Sequence, residues 1–182
     1  REAGLWNEVR EAVACLKGEG EMDVMELVTQ LAATLLRNDD SGVPAEAVKE
    51  AIDSGEALQK LEALVEAQEG DPSLLHSGEY VHSPQYEKHM VADRTGFITE
   101  MDTELIGRSV NLLTVIEDGG TRHLDPSGGV RFEKKVGDEV KDGEIMAICF
   151  GGDQGRVEVS VRQIYSAFVI GDTPAEPHLA IL

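Results

Sequence analysis

The sequence lacks the features that mark several classes of protein. Only two cysteines occur among 182 residues, and Cys15 and Cys149 lie far apart, outside any CxxC or metal-ligand spacing. No apolar run approaches the roughly 18 residues of a membrane span, and the first residues show no basic-then-apolar targeting pattern. The sequence therefore predicts reduced thiols, no contact with a membrane and a cytoplasmic location.

Basic residues are also scarce. There are 16 Lys and Arg against 35 Asp and Glu, which gives a formal net charge of −19 at pH 7. The electrostatic field of this negative charge repels DNA, RNA and anionic lipid at long range, so no nucleic-acid partner is expected. With 41% apolar and 28% charged residues, the composition is that of a globular protein.

Four amphipathic helices are predicted in the first part of the chain. Apolar residues recur there every three or four positions between turn signals. The first helix covers residues 5–17, and the second runs from Asp23, as its cap, to about Arg37. Pro44 suits the first turn of the third helix, and "QEGDPS" ends the fourth.

Beyond these helices the pattern changes to short strands bounded by Ser, Pro, Asp and Gly. One further helix is predicted at 103–113, and a helix followed by a short strand is favoured within "VEVSVRQIYSAFVIG". The remaining predictions are a long polar loop at 117–129, strands at 130–136 and 144–150, and an extended tail at 173–182. The expected fold is α+β, with a helical part at 1–77 and a β-rich, barrel-sandwich part at 78–182.

One stretch, "FEKKVGDEVKDGEIMAI" at 132–148, resembles the hairpin of domains that carry biotin or lipoate on a lysine. A carrier lysine must project from the hairpin tip to reach its enzyme. Lys134 and Lys135 precede the turn and Lys141 lies within it, whereas "EIMAICFGGDQG" after the turn has no lysine. The sequence favours a biotinyl-like fold without the modification, and a carrier domain remains an alternative.

Other candidate motifs have simpler interpretations. "GGDQGR" at 151–156 lacks the Lys and Ser/Thr of a phosphate loop, so a hairpin connection is expected. Asp39 and Asp40 lack the spacing of an EF-hand and are interpreted as solvated acids. No GxSxG or HExxH occurs, and the histidines show no metal spacing; they are His76, His82, His89, His123 and His178.

Two carboxylates on the first helix form the one candidate metal position. Glu8 and Glu11 lie three residues apart, on one side of the helix. With backbone carbonyls, they have the chemistry to hold a cation. Two solvated acids are the alternative interpretation.

The order of several longer motifs carries a family resemblance. "GLWNEVREAVACLKGEGEMDVMELVTQLAATLL", "SGEALQKLEALVEAQEGDPSLL", "ADRTGFITEMDTELIGRSVNLL" and "TRHLDPSGGVRFEKKVGDEVKDGEIMAI" are similar, in this order, to the C-terminal portion of pyrimidine-nucleoside (thymidine) phosphorylases. Two departures stand out. Leu5 replaces an Asn after the glycine, and "TVIEDGGTR" replaces a "GAGR"-like turn.

The resemblance implies a role in reversible phosphorolysis, in which phosphate attacks the anomeric carbon of a pyrimidine nucleoside and releases the base. In the family, the "KHSTGG"-type phosphate loop and the Arg, Ser and Lys that hold the base lie upstream of these motifs. No matching stretch occurs in the sequence, so no catalytic residue is assigned and the chain is expected to lack activity by itself.

The resemblance also implies partners for the full-length enzyme. Its substrates would be phosphate and a pyrimidine nucleoside, and it would be a homodimer whose lobes close over substrate. A structural monovalent or divalent cation would be bound with Glu11 as a ligand, and no other cofactor is expected. The competing hypothesis is a protein-interaction module formed by residues 79–182.

Overall fold

The computed structural model describes residues 1–36, 45–77 and 82–175. The chain divides into two compact units. One, the β-rich unit, joins Arg1–Glu8 to the described residues from His82 onward. The other, the helical unit, begins at Val9 and includes the described residues up to 77. The predicted boundary between residues 77 and 78 adjoins residues outside the described ranges and stays a prediction.

The four predicted helices are confirmed, and they belong to the helical unit except for the first three residues of the first helix, which belong to the β-rich unit. They are α1 (Trp6–Leu16), α2 (Met22–Leu36), α3 (Ala45–Asp53) and α4 (Glu56–Ala67), followed by a 3₁₀ turn at Pro72–Leu75. α1 ends at a turn in which Gly18 has a φ of 77°, a conformation that favours glycine. Asp23 lies inside the first turn of α2 and accepts the Val24 N–H at 2.9 Å. Its predicted position as the cap is therefore wrong by at least one residue.

The β-rich unit contains three antiparallel sheets and two helices. The elements in chain order are β1 (Glu2–Gly4), β2 (Tyr86–Val91), β3 (Gly96–Met101), α5 (Thr103–Thr114), β4 (Val115–Asp118), β5 (Thr121–Leu124), β6 (Gly129–Phe132), β7 (Glu139–Val140), β8 (Ile145–Gly151), α6 (Gln154–Ser166) and β9 (Phe168–Gly171). The larger sheet has the strand order β1-β6-β8-β2, the second has the order β7-β3-β9, and β4 and β5 pair with each other.

One apolar core holds the β-rich unit together. Its largest side chains are less than 2% exposed and come from strands of both larger sheets and from α6; they include Met90, Ile98, Met146, Val140 and Ile164. α5 and α6 contact each other through small residues, since Ser109 and Ser160 are both fully buried. Ser160 Oγ donates to the Ser109 carbonyl oxygen at 3.3 Å, so the two helices approach closely.

Each of these helices starts at an aspartate that accepts a backbone N–H. Asp102 Oδ1 accepts from the N–H of Leu105 at 3.0 Å, and Asp153 Oδ1 accepts from the N–H of Arg156 at 2.8 Å. Such caps satisfy donors that have no partner within the helix. They fix where α5 and α6 begin.

Several predicted boundaries need correction. The predicted polar loop at 117–129 contains most of a hairpin, β4 and β5, turned by two glycines with φ of 54° and 84°, Gly119 and Gly120. The strand predicted at 130–136 ends at Phe132, and β1 and β7 were not predicted. The helix and short strand favoured after residue 153 are confirmed as α6 and β9. Residues 176–182 of the predicted tail strand lie outside the described residues.

The predicted α+β fold is confirmed. Among the described residues the three sheets remain separate and do not close into a barrel. The more specific barrel-sandwich assignment stays a prediction. Within the described ranges, no helix has both the length and the apolar composition needed to cross a membrane.

Candidate functional site

The start of α1 uses the first of the two predicted carboxylates for a backbone contact. Glu8 Oε1 accepts the N–H of Gly4 at 2.7 Å. This bond joins β1 to the first turn of α1, where the helix dipole also favours a negative charge. Glu8 therefore links the end of β1 to the start of the helix in this structure.

A neighbouring residue that the sequence analysis missed anchors β1 to the larger sheet. Asn7 is 3% exposed, and its Nδ2 lies 3.2 Å from the Ala3 carbonyl oxygen and 3.1 Å from Glu2 Oε2. A Cβ at Gly129 would approach Asn7 Nδ2 to 2.8 Å, so this close packing requires glycine. An asparagine inside an apolar helix pattern, combined with a distant Gly-Gly pair, is too weak a signal to find from one sequence.

Glu11, the predicted metal ligand, lies one helical turn beyond Glu8 and is half-buried. Burial and, after it, the Glu11 charge raise the pKa of the Cys15 thiol. The Glu11 carboxylate therefore acts on a thiol one turn further along α1.

Within the described residues, no group of three or more His, Cys, Asp or Glu side chains is arranged to hold a metal ion. Glu8 is engaged by Gly4, and Glu2 accepts from Arg131 Nε at 2.8 Å. The role of Glu11 as a cation ligand therefore stays a prediction.

The lysines of the candidate carrier hairpin have different environments. Lys134 Nζ donates to Glu144 Oε1 at 2.8 Å and to the Glu139 carbonyl oxygen at 3.0 Å. This ammonium group, together with the Lys141 N–H, keeps the pKa of Glu144 below its usual range. Lys134 is therefore held along the hairpin and does not project from its tip.

Lys141 lies at the turn between β7 and β8. Its N–H donates to Glu144 Oε2 at 2.8 Å, and the following Asp142 N–H donates to Thr95 Oγ1 at 3.1 Å. The turn is therefore tied to the segment between β2 and β3 as well as to itself. These bonds order the backbone of the turn, whereas the residue Lys141 is exposed, so the carrier alternative is tested by the mass of the chain.

The "GGDQGR" segment is a strand-to-helix turn, so the predicted hairpin connection is wrong. β8 ends at Gly151 and α6 begins at Gln154. A free helix N-terminus would attract a phosphate group. Here Asp153 accepts the Arg156 N–H and Asp125 Oδ2 accepts the Gly152 N–H at 2.9 Å. Two carboxylates therefore occupy the donors that a phosphate group would need.

Several basic side chains of the β-rich unit have partners within that unit. Arg131 pairs with Glu2, and Arg108 with Glu104. Arg156 donates from one nitrogen to the carbonyl oxygens of Leu112 at 3.2 Å and Val115 at 2.6 Å, which satisfies the end of α5. These contacts stabilise the fold, and none of the three side chains forms part of a cluster that could grip an anion.

The histidines do not converge on a site within the described residues. His76 Nε2 lies 2.6 Å from Glu62 Oε1, and His89 Nε2 lies 3.1 Å from Glu87 Oε1. The His82 ring makes an edge contact with Trp6 at 5.9 Å between ring centroids. His123 lies in the exposed strand β5, whereas His178, Asp39 and Asp40 are outside the described residues.

Two cavities among the described residues are candidate binding sites for a nucleoside. In the β-rich unit, a cavity of about 230 Å³ lies beside Asp93, Arg94 and Tyr165. A hydrogen bond to Asp93 is the main cause that raises the pKa of the Tyr165 hydroxyl. This volume is below the roughly 300 Å³ at which ligand pockets begin.

In the helical unit, a cavity of about 660 Å³ is lined mostly by apolar atoms, including those of Met22, Met25 and Ile52. Among the described residues of its lining, the one basic side chain is Lys49, which pairs with Asp53 at 2.6 Å. The described residues of neither cavity combine a cationic anion site with groups that could hold a pyrimidine.

Comparison with curated proteins relates this α+β chain to nucleoside phosphorylases. The relatives are named pyrimidine-nucleoside phosphorylase. That of Staphylococcus aureus strain bovine RF122 / ET3-1 is 30% identical over 176 residues, and those of strains USA300 and NCTC 8325 / PS 47 are 29% identical over the same length. Each match covers 94% of this chain and 40% of the relative. No protein-family profile matches the chain.

The chain is therefore homologous to pyrimidine-nucleoside phosphorylases over nearly its whole length. It spans about 40% of the length of the curated relatives it matches. This share agrees with the prediction, made from the order of motifs, that the chain corresponds to the C-terminal portion of such an enzyme.

Proposed function

We propose that the chain forms the supporting C-terminal portion of a pyrimidine-nucleoside phosphorylase, and that the phosphate- and base-binding residues lie in the part of the enzyme outside the matched segment. The observation that carries this proposal is the match of 94% of the chain to 40% of the relatives. In the complete enzyme, phosphate oxygen would bond to the anomeric carbon as the bond from that carbon to the pyrimidine nitrogen breaks. The products would be the base and a pentose 1-phosphate.

The chemistry of the described residues supports this division of labour. Stabilising the incoming phosphate requires positive charge and free backbone donors aimed at it. The helix N-termini of α5 and α6 are capped by aspartates, and Arg108, Arg131 and Arg156 bind groups of their own unit. The described part of the chain thus supplies a scaffold for moving lobes without an anion cradle.

The proposal is tested by measuring phosphate-dependent release of uracil or thymine from uridine and thymidine. The pure chain is expected to show no release. Co-expression with the unmatched part of the S. aureus strain RF122 relative is expected to restore release, because the two pieces together cover the length of one enzyme. Turnover by the pure chain would overturn the placement of the reactive residues, and no turnover by the co-expressed pair would overturn the assignment as a phosphorylase portion.

The assembly and location of the enzyme are part of the same proposal. We infer a homodimer for the complete protein, as the resemblance implies, and a cytoplasmic location, as the sequence analysis predicts. Intact mass of the purified chain tests the carrier alternative at the same time. An unmodified mass is expected, and an increment mapped to Lys134, Lys135 or Lys141 would favour a carrier domain.

A further inference from the structure

α2 presents two faces of different chemistry within the helical unit. On one side lie smaller or flexible residues, of which Ala33 is 5% exposed and Met25 and Ala32 are half-buried. On the other side is an apolar stripe that we name the leucine face. It consists of Val24, Leu27, Val28, Leu31 and Leu35.

The leucine face is poorly covered. Val28 is 41% exposed, Leu31 51% and Leu35 73%, while Val24 and Leu27 are half-buried. Apolar residues at three- and four-residue spacing normally face a core. On α2 the large side chains lie outward and the alanines lie inward, which is the reverse of an ordinary surface helix. A contiguous apolar stripe of this kind marks an interaction surface.

Two candidates could cover this face: a second copy of the chain, or the rest of the phosphorylase. A second copy would bring a formal charge of −19 against another of −19. α2 itself carries Asp23 and Glu26 and has no Lys or Arg in its sequence, so two copies would also juxtapose acids at the contact. By contrast, each relative contains more chain outside the matched segment than within it.

We propose that the leucine face is the docking surface for the part of the phosphorylase outside the matched segment. This inference rests on the proposed function, since it takes the partner from the same enzyme. The partner surface would be apolar opposite Leu31 and Leu35 and less acidic than this chain. Residues of both pieces would then form one core around α2.

The test uses the full chain, tagged and co-expressed with the unmatched part of the S. aureus strain RF122 relative. Leu31→Asp places a charge in the middle of the leucine face, and Leu35→Ser removes an apolar side chain with little risk to the fold because it is 73% exposed. Met22→Asp is the matched control, because Met22 is 88% exposed on the same helix and lies off the stripe. Circular dichroism checks that each variant retains its helices.

We expect the unmodified chain and Met22→Asp to bind the other piece with similar affinity. Leu31→Asp should weaken binding at least tenfold, and Leu35→Ser should weaken it by a smaller factor. Equal binding by all variants, or no binding at all, would overturn the docking surface. Concentration-dependent dimers of the chain alone that Leu31→Asp abolishes would also overturn it, in favour of a second copy.

The same preparations separate this inference from the proposed function. If the pieces bind through the leucine face but release no base from uridine or thymidine, the docking surface stands and the phosphorylase assignment fails. If base is released and Leu31→Asp binds and reacts as well as the unmodified chain, the assignment stands and the docking surface is wrong.

Discussion

The β-rich and helical units contain similar apolar patterns but bury them to different extents. In the β-rich unit, side chains from both larger sheets and both helices form one core, and Ile98, Val140 and Ile164 are fully buried. Among the described residues of the helical unit, the buried apolar side chains are Val13, Ala33, Val48 and Leu75. α4 buries none of its residues. The comparison teaches that one unit completes its own core, whereas the described part of the other leaves apolar faces exposed.

The largest expected effect comes from a charge in the complete core. Val140→Asp places a carboxylate in the apolar core, where the valine is 0% exposed. We expect a loss of about 3 to 5 kcal/mol in the free energy of unfolding, since an uncompensated buried charge is strongly destabilising. Thermal unfolding followed by circular dichroism measures it.

Val136→Asp is the control for this substitution. Val136 precedes the same strand but is 39% exposed, so a change within about 0.5 kcal/mol is expected. An unchanged melting temperature for Val140→Asp would contradict the interior position of β7.

A second experiment compares truncations in the two units. Ile164→Ala removes three carbons from the core of the β-rich unit and should lower the free energy of unfolding by about 2 to 5 kcal/mol. Leu64→Ala on α4, where the leucine is 53% exposed, should change it by about 0.5 kcal/mol or less. Denaturant titration of both variants supplies the values. Equal losses would mean that the α4 face is covered in the isolated chain, and the contrast between the units would disappear.

The smallest effect concerns the two thiols, of which each unit contains one. Burial raises the pKa of Cys149 to about 12, whereas Cys15 is half-buried and its pKa is raised by burial and by Glu11. Thiolates are the reactive form. Cys149→Ala retains only the thiol of Cys15, and Cys15→Ala retains only that of Cys149. At pH 8 we expect Cys15 in the first variant to react with a disulfide reagent at least tenfold faster than Cys149 in the second. Comparable rates would show that the core around Cys149 opens as readily as the helical unit.

The pH dependence follows from the same shift at Cys149. A thiol whose pKa is about 12 in the fold and 9.0 when unperturbed stabilises the folded state fully below pH 9. This contribution declines as the pH rises from 9 towards 12, because only the unfolded state releases its proton easily. Cys149→Ala should flatten the loss of stability in this range. If the unmodified chain and Cys149→Ala lose stability identically between pH 9 and 12, Cys149 is not the cause of the loss.

Sequence periodicity predicted which segments form helices in both units, because local spacing of apolar residues and turn signals is enough to define a helix. It did not predict β1, β7 or the β4–β5 hairpin. β1 and β7 have three and two residues and pair with strands that are distant in the chain, as in the pairing of Glu2 with Arg131. The two strands of the hairpin are neighbours in the chain but have only four residues each. Alternation over so few residues has no statistical weight.

The candidate site shows the same division. The position of Glu8 and Glu11 on one helix could be predicted from their spacing. The engagement of Glu8 by Gly4, of Glu2 by Arg131 and of the "GGD" turn by Asp125 could not, because each depends on the exact approach of separate segments. The family resemblance was found from the order of motifs and is confirmed by the homologues.

The sequence by itself determined the helical segments, the acidic surface and the relationship to pyrimidine-nucleoside phosphorylases, since these depend on composition, local spacing and motif order. Only the tertiary structure decided which apolar faces are buried, which carboxylates are engaged and where the short strands pair. Burial and pairing are properties of groups brought together from distant positions, so their free energies appear only once the chain has folded.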